Sequence, residues 1–386
     1  MDIKLIERSE ELEPLHAHLA TANRIALDCE AAGFHRYSDR LCLVQLTHDE
    51  RTYLLDPLSV DVGDLLRPIL EDPSREVVMH GADFDLRLLD RDLGINLQGL
   101  FDTQIAASIL GIDGIGLQSL LERTLDVQLS KKYQRADWAR RPLPDEMLKY
   151  AALDTHHLLT LADRLARELS EAGRMDWARE EFAELEKIRY EEPEESDPAA
   201  RLKAARDMTD REVHRLREAL HWRDEIARER DRAPFRVAND SVLIQAARQP
   251  PASVEALIDI RGMNRGLARQ EGEGLVRRLQ AVESLAADEV QGLPAREYSG
   301  RGRPPPEVQD RMRSLKQVRN QRAAELGIDR GTLLPNALLE ELALEPPDEV
   351  EDVSRVPGIR TWQAEILGPD LVRALNVPSG SGAEQR

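Results

Sequence analysis

Apolar and polar positions divide the chain into stretches of different rhythm. RIALDCE reads as a strand, FHRYSDR as a polar turn, and LCLVQLT and TYLLDPL as two further strands. Three strands joined by short connections predict antiparallel pairing. VDVGDLLRPILED then takes up helical periodicity, REVVMHG is a short strand, and ADFDLRLLDRDLG is a helix ended by Gly94. LQGLFDT reads as a fifth strand running into the helix TQIAASILG, and GIGLQSLLERTLDV continues the helical pattern. LPDEMLKYAALDTHHLLTLADRLARELSEAG reads as one long amphipathic helix stopped by Gly173. Strands first, then alternation with helices, predict an α/β domain over 1–175 with a mixed sheet flanked by helices.

The rhythm changes after that. Residues 176–207 read as an acidic connecting segment, helix-to-linker in type and broken by Pro193 and Pro198, with a boundary near 190–207. The rest is helical and repeats itself. LREALHWRDEIARERDRAPFRVANDSVLIQAA is answered by MRSLKQVRNQRAAELGIDRGTLLPNALLEELA. Arg223 and Arg319 correspond at a spacing of 96, as do Gly262 and Gly358, while Asn239 and Asn336 correspond at 97. Two all-α modules of roughly 75 residues follow from this, at 208–286 and 307–376, the second divergent. A Pro/Gly/Arg linker, 287–306, is expected to be extended, and the tail 377–386 disordered.

Composition narrows the field. The 386 residues, 41% of them hydrophobic, suffice for two or three domains with buried cores. No apolar run is long enough to span a bilayer, and the N-terminus lacks a secretory pattern, so a soluble cytoplasmic protein without membrane contact is expected. Cys29 and Cys42 fall in consecutive predicted strands and read as buried free thiols. A net charge of −19 argues against a polyanion binder held by its global field, and 4% aromatic content argues against an extended base-stacking platform. Neither excludes a nuclease, because divalent ions and local Arg clusters act over short range.

The candidate chemistry lies in acids set inside apolar runs. Asp28 and Glu30 are two apart on a predicted strand, so both side chains leave one face. Tyr150 and Asp154 are four apart and share one face of a helix. Asp85 follows in ADFDLRLL, where a helix first-turn acid is the plain alternative; Asp102 reads as the cap of the helix starting at Thr103 or Gln104. Carboxylates in apolar surroundings are costly unless a cation compensates them, and a cluster of them is a cradle for Mg²⁺ or Mn²⁺. Two such ions about 4 Å apart support phosphodiester hydrolysis. In that scheme Asp28 is the bridging ligand, Glu30 and Asp154 complete one site, Asp85 helps hold the second ion, and Tyr150 orients the attacking water. No Ser/His/Asp arrangement or phosphate loop competes.

Taken in order, ALDCE, VMHGADFDLRLL, LFDTQIAASIL and ADWARRPLPDEMLKYAALD resemble the motifs of the DEDD 3′–5′ exonucleases of ribonuclease H-like fold. The resemblance is to the tyrosine-containing subclass and, within it, to the ribonuclease D family, with WxxRPL an especially specific element. It implies that Asp28, Glu30, Asp85 and Asp154 are metal ligands and that Tyr150 orients water. The first motif departs from the common DTEF, with Cys29 and Ala31 replacing Thr and Phe. A Phe there would pack on the terminal nucleotide; Phe34 and His35 are the candidates to replace it. Residues 208–286 and 307–376 resemble HRDC domains, and the absence of a P-loop removes a helicase reading. Between 210 and 283, 14 Arg face 13 acids, and Arg261, Arg265 and Arg269 are the candidate RNA contacts. The resemblance implies an exoribonuclease using two Mg²⁺ or Mn²⁺ ions to trim structured RNA, tRNA precursors in particular, with release of nucleoside 5′-monophosphates; with two appended modules a monomer suffices. A DNA-directed exonuclease and a non-catalytic RNA-binding protein are the rivals.

Overall fold

The computed structural model describes residues 2–193, 196–294 and 304–376. Residues 295–303 of the expected extended linker, and the expected disordered tail, 377–386, lie outside the described residues. The chain opens with β1 (Asp2–Ile6), α1 (Leu12–Leu19), β2 (Arg24–Ala31), β3 (Leu41–His48) and β4 (Arg51–Leu55). β1 has no counterpart in the sequence reading. It is a five-residue edge strand with an exposed Asp2 and Lys4, so its apolar signal is weak. The chain continues through α2 (Gly63–Leu70), β5 (Glu76–Met79), α3 (Asp83–Leu93), β6 (Leu100–Asp102), α4 (Thr103–Leu110) and α5 (Leu117–Leu125).

The strand order is β1-β4-β3-β2-β5-β6. β2, β3 and β4 pair antiparallel, as their short connections predict, whereas β5 lies parallel to β2 and β6 parallel to β5. The sheet is therefore mixed, with β2 at its centre. Placing the acids of β2 there makes their backbone rigid, because hydrogen-bonded neighbours flank it on both sides.

The long helix expected after Pro144 is two: α6 (Asp145–His156) and α7 (Leu158–Glu171), broken at His157. The break lets α6 pack on β2, β3 and β4 while α7 turns to α4 and β5. One straight helix would lose one of these apolar surfaces. The 176–207 segment opens on a helix. α8 (Met175–Leu185) packs into the first domain, with Phe182 against Phe101 at 5.0 Å between ring centroids.

The helical repeat is plain in three dimensions. α9 (Asp210–Glu229), α10 (Pro234–Val237), α11 (Asp240–Arg248), α12 (Val254–Ile258) and α13 (Arg265–Glu283) recur as α14 (Pro306–Leu326), α15 (Arg330–Leu333), α16 (Asn336–Leu344), α17 (Val350–Val353) and α18 (Thr361–Asn376). Arg223 donates to Ala238 O at 3.0 Å and Arg319 to Leu334 O at 2.7 Å, so the matched arginines do the same task. Gly262 and Gly358 have φ of +93° and +91°, the left-handed region where a side chain is strained. The second module is fastened to the first domain by Trp362 stacked on Trp177, 4.9 Å apart and 14° from parallel. Glu180 also accepts from the Thr361 and Trp362 amides at 2.6 and 3.1 Å. No helix among the described residues is long and apolar enough to cross a membrane.

Candidate active site

Asp28 and Glu30 leave β2 on the same face, and Asp154 reaches them from α6 packed across the sheet. One ligand atom from each of Asp28, Glu30 and Asp154 lies within 4.8 Å of the others. All three line a cavity of about 440 Å³ together with Tyr150, His80, Gln104 and residues of the 117–134 segment. Asp85, in the first turn of α3, is only 7% exposed and is not among the residues lining the cavity. It is nonetheless close enough to Asp28 for their charges to interact. The structure thus brings together Asp28, Glu30, Tyr150 and Asp154 and places Asp85 just outside that tight group.

The electrostatics are one-sided. Enclosure raises the proton affinity of all four carboxyls. Asp28 is pushed up to about 7 and Asp154 to about 8, the latter also by the charge of Asp28. Glu30 is held well above its ordinary range by burial and then by Asp28, Asp154 and Asp85. Asp85 is likewise raised by burial, then by Asp28 and Asp102. The charges acting on these carboxyls are other carboxylates, and no Lys or Arg of the described residues compensates them. An all-oxygen, uncompensated donor set fits hard divalent cations such as Mg²⁺ and Mn²⁺.

Neighbouring residues hold this arrangement. Asp102 accepts from Ala82 N, Gln104 N and Ile105 N at 2.8, 2.8 and 3.0 Å, so it caps α4 as expected and also ties the turn before α3 to β6. Thr103 donates its hydroxyl proton to Met79 O, which makes His80 Nδ1 the donor in its 2.9 Å contact with Thr103 Oγ1. Burial lowers the His80 pKa, and its ring is neutral at neutral pH. Cys29 and Cys42 are buried free thiols, as the sequence implied. Burial, then the surrounding acids, pushes the Cys29 thiol well up, so it is not a nucleophile.

Several site residues escaped the sequence reading. Ser130, Lys131 and Gln134 line the cavity from the irregular segment between α5 and α6. Lys132 is paired with Glu146 at 2.8 Å, whereas Lys131 forms no ion pair with a described residue and faces the cavity. Adjacent lysines in SKKYQR carry no signal that separates them. Arg141 of the WxxRPL element is the other omission; both its Nε and Nη2 donate to Asp56, which is wholly buried, and Nη2 also donates to Cys42 O at 2.7 Å. Arg261, Arg265 and Arg269 are all exposed, around the turn that opens α13.

Charge and pH should be linked here. The carboxyl pKa values are raised on folding, so the metal-free protein is favoured at low pH and loses stability as pH rises through about 7 to 8. A divalent cation binds the ionised form and reverses this. Saturating Mn²⁺ should raise the unfolding midpoint of the catalytic domain by roughly 5–10 °C at about pH 8 and far less at about pH 5.5. Differential scanning fluorimetry reads this directly; an equal shift at both pH values would contradict it.

The chain matches a 3′–5′ exonuclease family over residues 3–170 and the HRDC domain over residues 213–279 and 308–375. It is 31% identical over 357 residues to the ribonuclease D of Pseudomonas paraeruginosa, covering 91% of this chain and 92% of that protein. Identity to the exosome complex component 10 homolog of Drosophila melanogaster is 30% over 265 residues, and there the match takes in 67% of this chain but 29% of the relative. The chain thus spans under a third of that longer protein. The crystal structure of Escherichia coli RNase D, described as an exoribonuclease involved in structured RNA processing, superposes with a TM-score of 0.68 at 26% identity. That superposition covers 97% of this chain and 99% of the other.

Proposed function

Because the chain belongs to the ribonuclease D family, we propose that it is a monomeric cytoplasmic 3′–5′ exoribonuclease that trims structured RNA, tRNA precursors above all, with two divalent ions. The observation that carries this reading is the cluster of Asp28, Glu30 and Asp154 within 4.8 Å, backed by Asp85, whose charge no Lys or Arg among the described residues offsets. Bound Mg²⁺ or Mn²⁺ would supply an activated water and stabilise the leaving 3′ oxygen.

The chain's own residues have distinct tasks. Asp28, at the centre of the sheet, would hold the ions together with Glu30, Asp154 and Asp85. Tyr150 lines the cavity one helical turn before Asp154. Burial, then the charges of Asp154 and Glu30, raises its pKa above the ordinary tyrosine range, so the hydroxyl stays protonated and donates a hydrogen bond to hold the water. Lys131 at the cavity wall meets the phosphate. Arg261, Arg265 and Arg269 hold the RNA body, which is recognised through shape and backbone.

Matched RNA and DNA oligonucleotides, and a tRNA precursor with a 3′ extension, test this reading. With Mg²⁺ or Mn²⁺ the RNA ends should shorten stepwise, with nucleoside 5′-monophosphates as products. DNA degraded as fast as RNA, or a precursor left untrimmed, would overturn the assigned substrate.

A further inference from the structure

Two exposed phenylalanines meet at the junction of the catalytic domain and the first helical module. Phe34, just beyond β2, is 38% exposed, and Phe235, in α10, is 45% exposed. Their ring centroids are 5.4 Å apart and their planes differ by 57°. Such side chains are ordinarily buried, and a solvent-facing aromatic pair marks a binding surface. Low aromatic content argues against an extended platform but says nothing about two rings that folding brings together from 201 residues apart.

Arginines converge on the same spot. The Arg236 guanidinium lies 5.0 Å from the Phe34 centroid and 5.9 Å from that of Phe235, and Arg135 lies 5.5 Å from Phe34. Arg236 donates to Phe34 O at 2.8 Å, and Ala233 N to His35 O at 3.1 Å, so the junction is fixed rather than loose. Arg236 and the exposed Arg232 also line an adjoining cavity of about 200 Å³, shared with Asn264, Gly266 and Leu267 at the start of α13. Among the described residues Arg135, Arg232 and Arg236 have no carboxylate partner, in a chain whose net charge is −19. The nearby Asp231 faces Arg36 and Arg40, at 3.7 and 3.8 Å. Gln134, next to Arg135, lines the catalytic cavity, so the same segment touches both the aromatic pair and the catalytic site.

Aromatic faces interleaved with unpaired guanidinium groups suit a strand that offers bases and phosphates alternately. We infer that Phe34 and Phe235 stack bases of the single-stranded 3′ stretch of the RNA while Arg135, Arg232 and Arg236 hold its phosphates, leading the strand from the first helical module to the carboxylate cavity. This rests on the exoribonuclease reading above and adds the route by which the end arrives. It also names Phe34 as a stacking residue, upstream of the terminal nucleotide, in a chain whose first motif lacks a phenylalanine.

The test uses the full chain and a fluorescein-labelled oligouridylate of about 12 nucleotides in EDTA, read by anisotropy. Phe34→Leu with Phe235→Leu keeps the apolar bulk but removes the rings, and should weaken binding about tenfold. Phe34→Tyr with Phe235→Tyr should stay within about twofold of the native chain, because the stacking faces remain. Arg232→Ala, at an exposed position, should reduce the slope of log affinity against log salt by about 0.7. Native affinity in the Leu pair, or an unchanged slope in Arg232→Ala, overturns the route; if the Leu pair does not fold, the Arg232 measurement decides alone. Because binding is read without metal, its failure is separate from failure of the enzymatic reading, which shows instead as a native chain that trims no RNA with Mg²⁺ or Mn²⁺.

Discussion

Asp28→Asn is expected to lower the turnover of RNA by about 10³-fold or more while leaving RNA binding intact. Asp28 is the acid most coupled to the rest: its charge raises the proton affinity of Glu30, Asp85 and Asp154 alike. An amide is nearly isosteric with the carboxyl but carries no charge, so the fold is kept and a metal ligand is lost. The same substitution should stabilise the metal-free protein at about pH 8, where the native carboxyl is largely ionised at the cost of enclosure. Single-turnover kinetics and thermal unfolding without metal check both halves. Retained turnover, or a metal-free protein less stable than native at that pH, would contradict the assignment.

Arg141→Met is expected to destabilise the catalytic domain by about 3 kcal/mol, lowering its unfolding midpoint by roughly 6–12 °C. Asp56 has no exposed surface and accepts from Arg141 Nε and Nη2 at 2.5 and 2.6 Å, from Ser59 Oγ at 2.8 Å and from Leu58 N at 2.9 Å. Burial opposes its ionisation, but the Arg141 and Ser59 hydrogen bonds outweigh this and hold its pKa below the ordinary value. A depressed carboxyl pKa contributes stability above the unfolded-state value and loses it as pH falls. The gap between native and variant should therefore narrow below about pH 4. Arg141 also donates to Trp138 O at 2.7 Å and so anchors the segment that carries Lys131 and Gln134 to the cavity. Activity should fall with stability even though Arg141 touches no substrate. A midpoint within about 2 °C of native would refute the clamp.

What could be read from the chain followed from local periodicity. Asp28 with Glu30, and Tyr150 with Asp154, were legible as pairs because a strand and a helix fix which positions share a face. The repeat was legible because Gly262 and Gly358 answer one backbone demand, and Arg223 and Arg319 one carbonyl-binding task. Features that depend on meeting across the fold were not legible. The Arg141–Asp56 clamp joins residues 85 apart, and the Phe34–Phe235 pair joins two domains. The break at His157 was hidden because both halves of the stretch keep helical periodicity, and only their different packing partners require the turn. Asp85 shows the limit from the other side. Its motif was plain in the sequence, yet its burial apart from the close group of Asp28, Glu30 and Asp154 emerged only from the fold.

The central claim is that an uncompensated carboxylate cluster holds divalent ions which cut RNA from its 3′ end. It is tested most directly by a time course on a 5′-labelled single-stranded RNA with Mn²⁺, with Mg²⁺ and with EDTA. The predicted result is a ladder of products shortened one nucleotide at a time, with nucleoside 5′-monophosphates released in either metal and an intact substrate in EDTA. Cleavage that proceeds equally in EDTA, or no shortening with either metal, would contradict it.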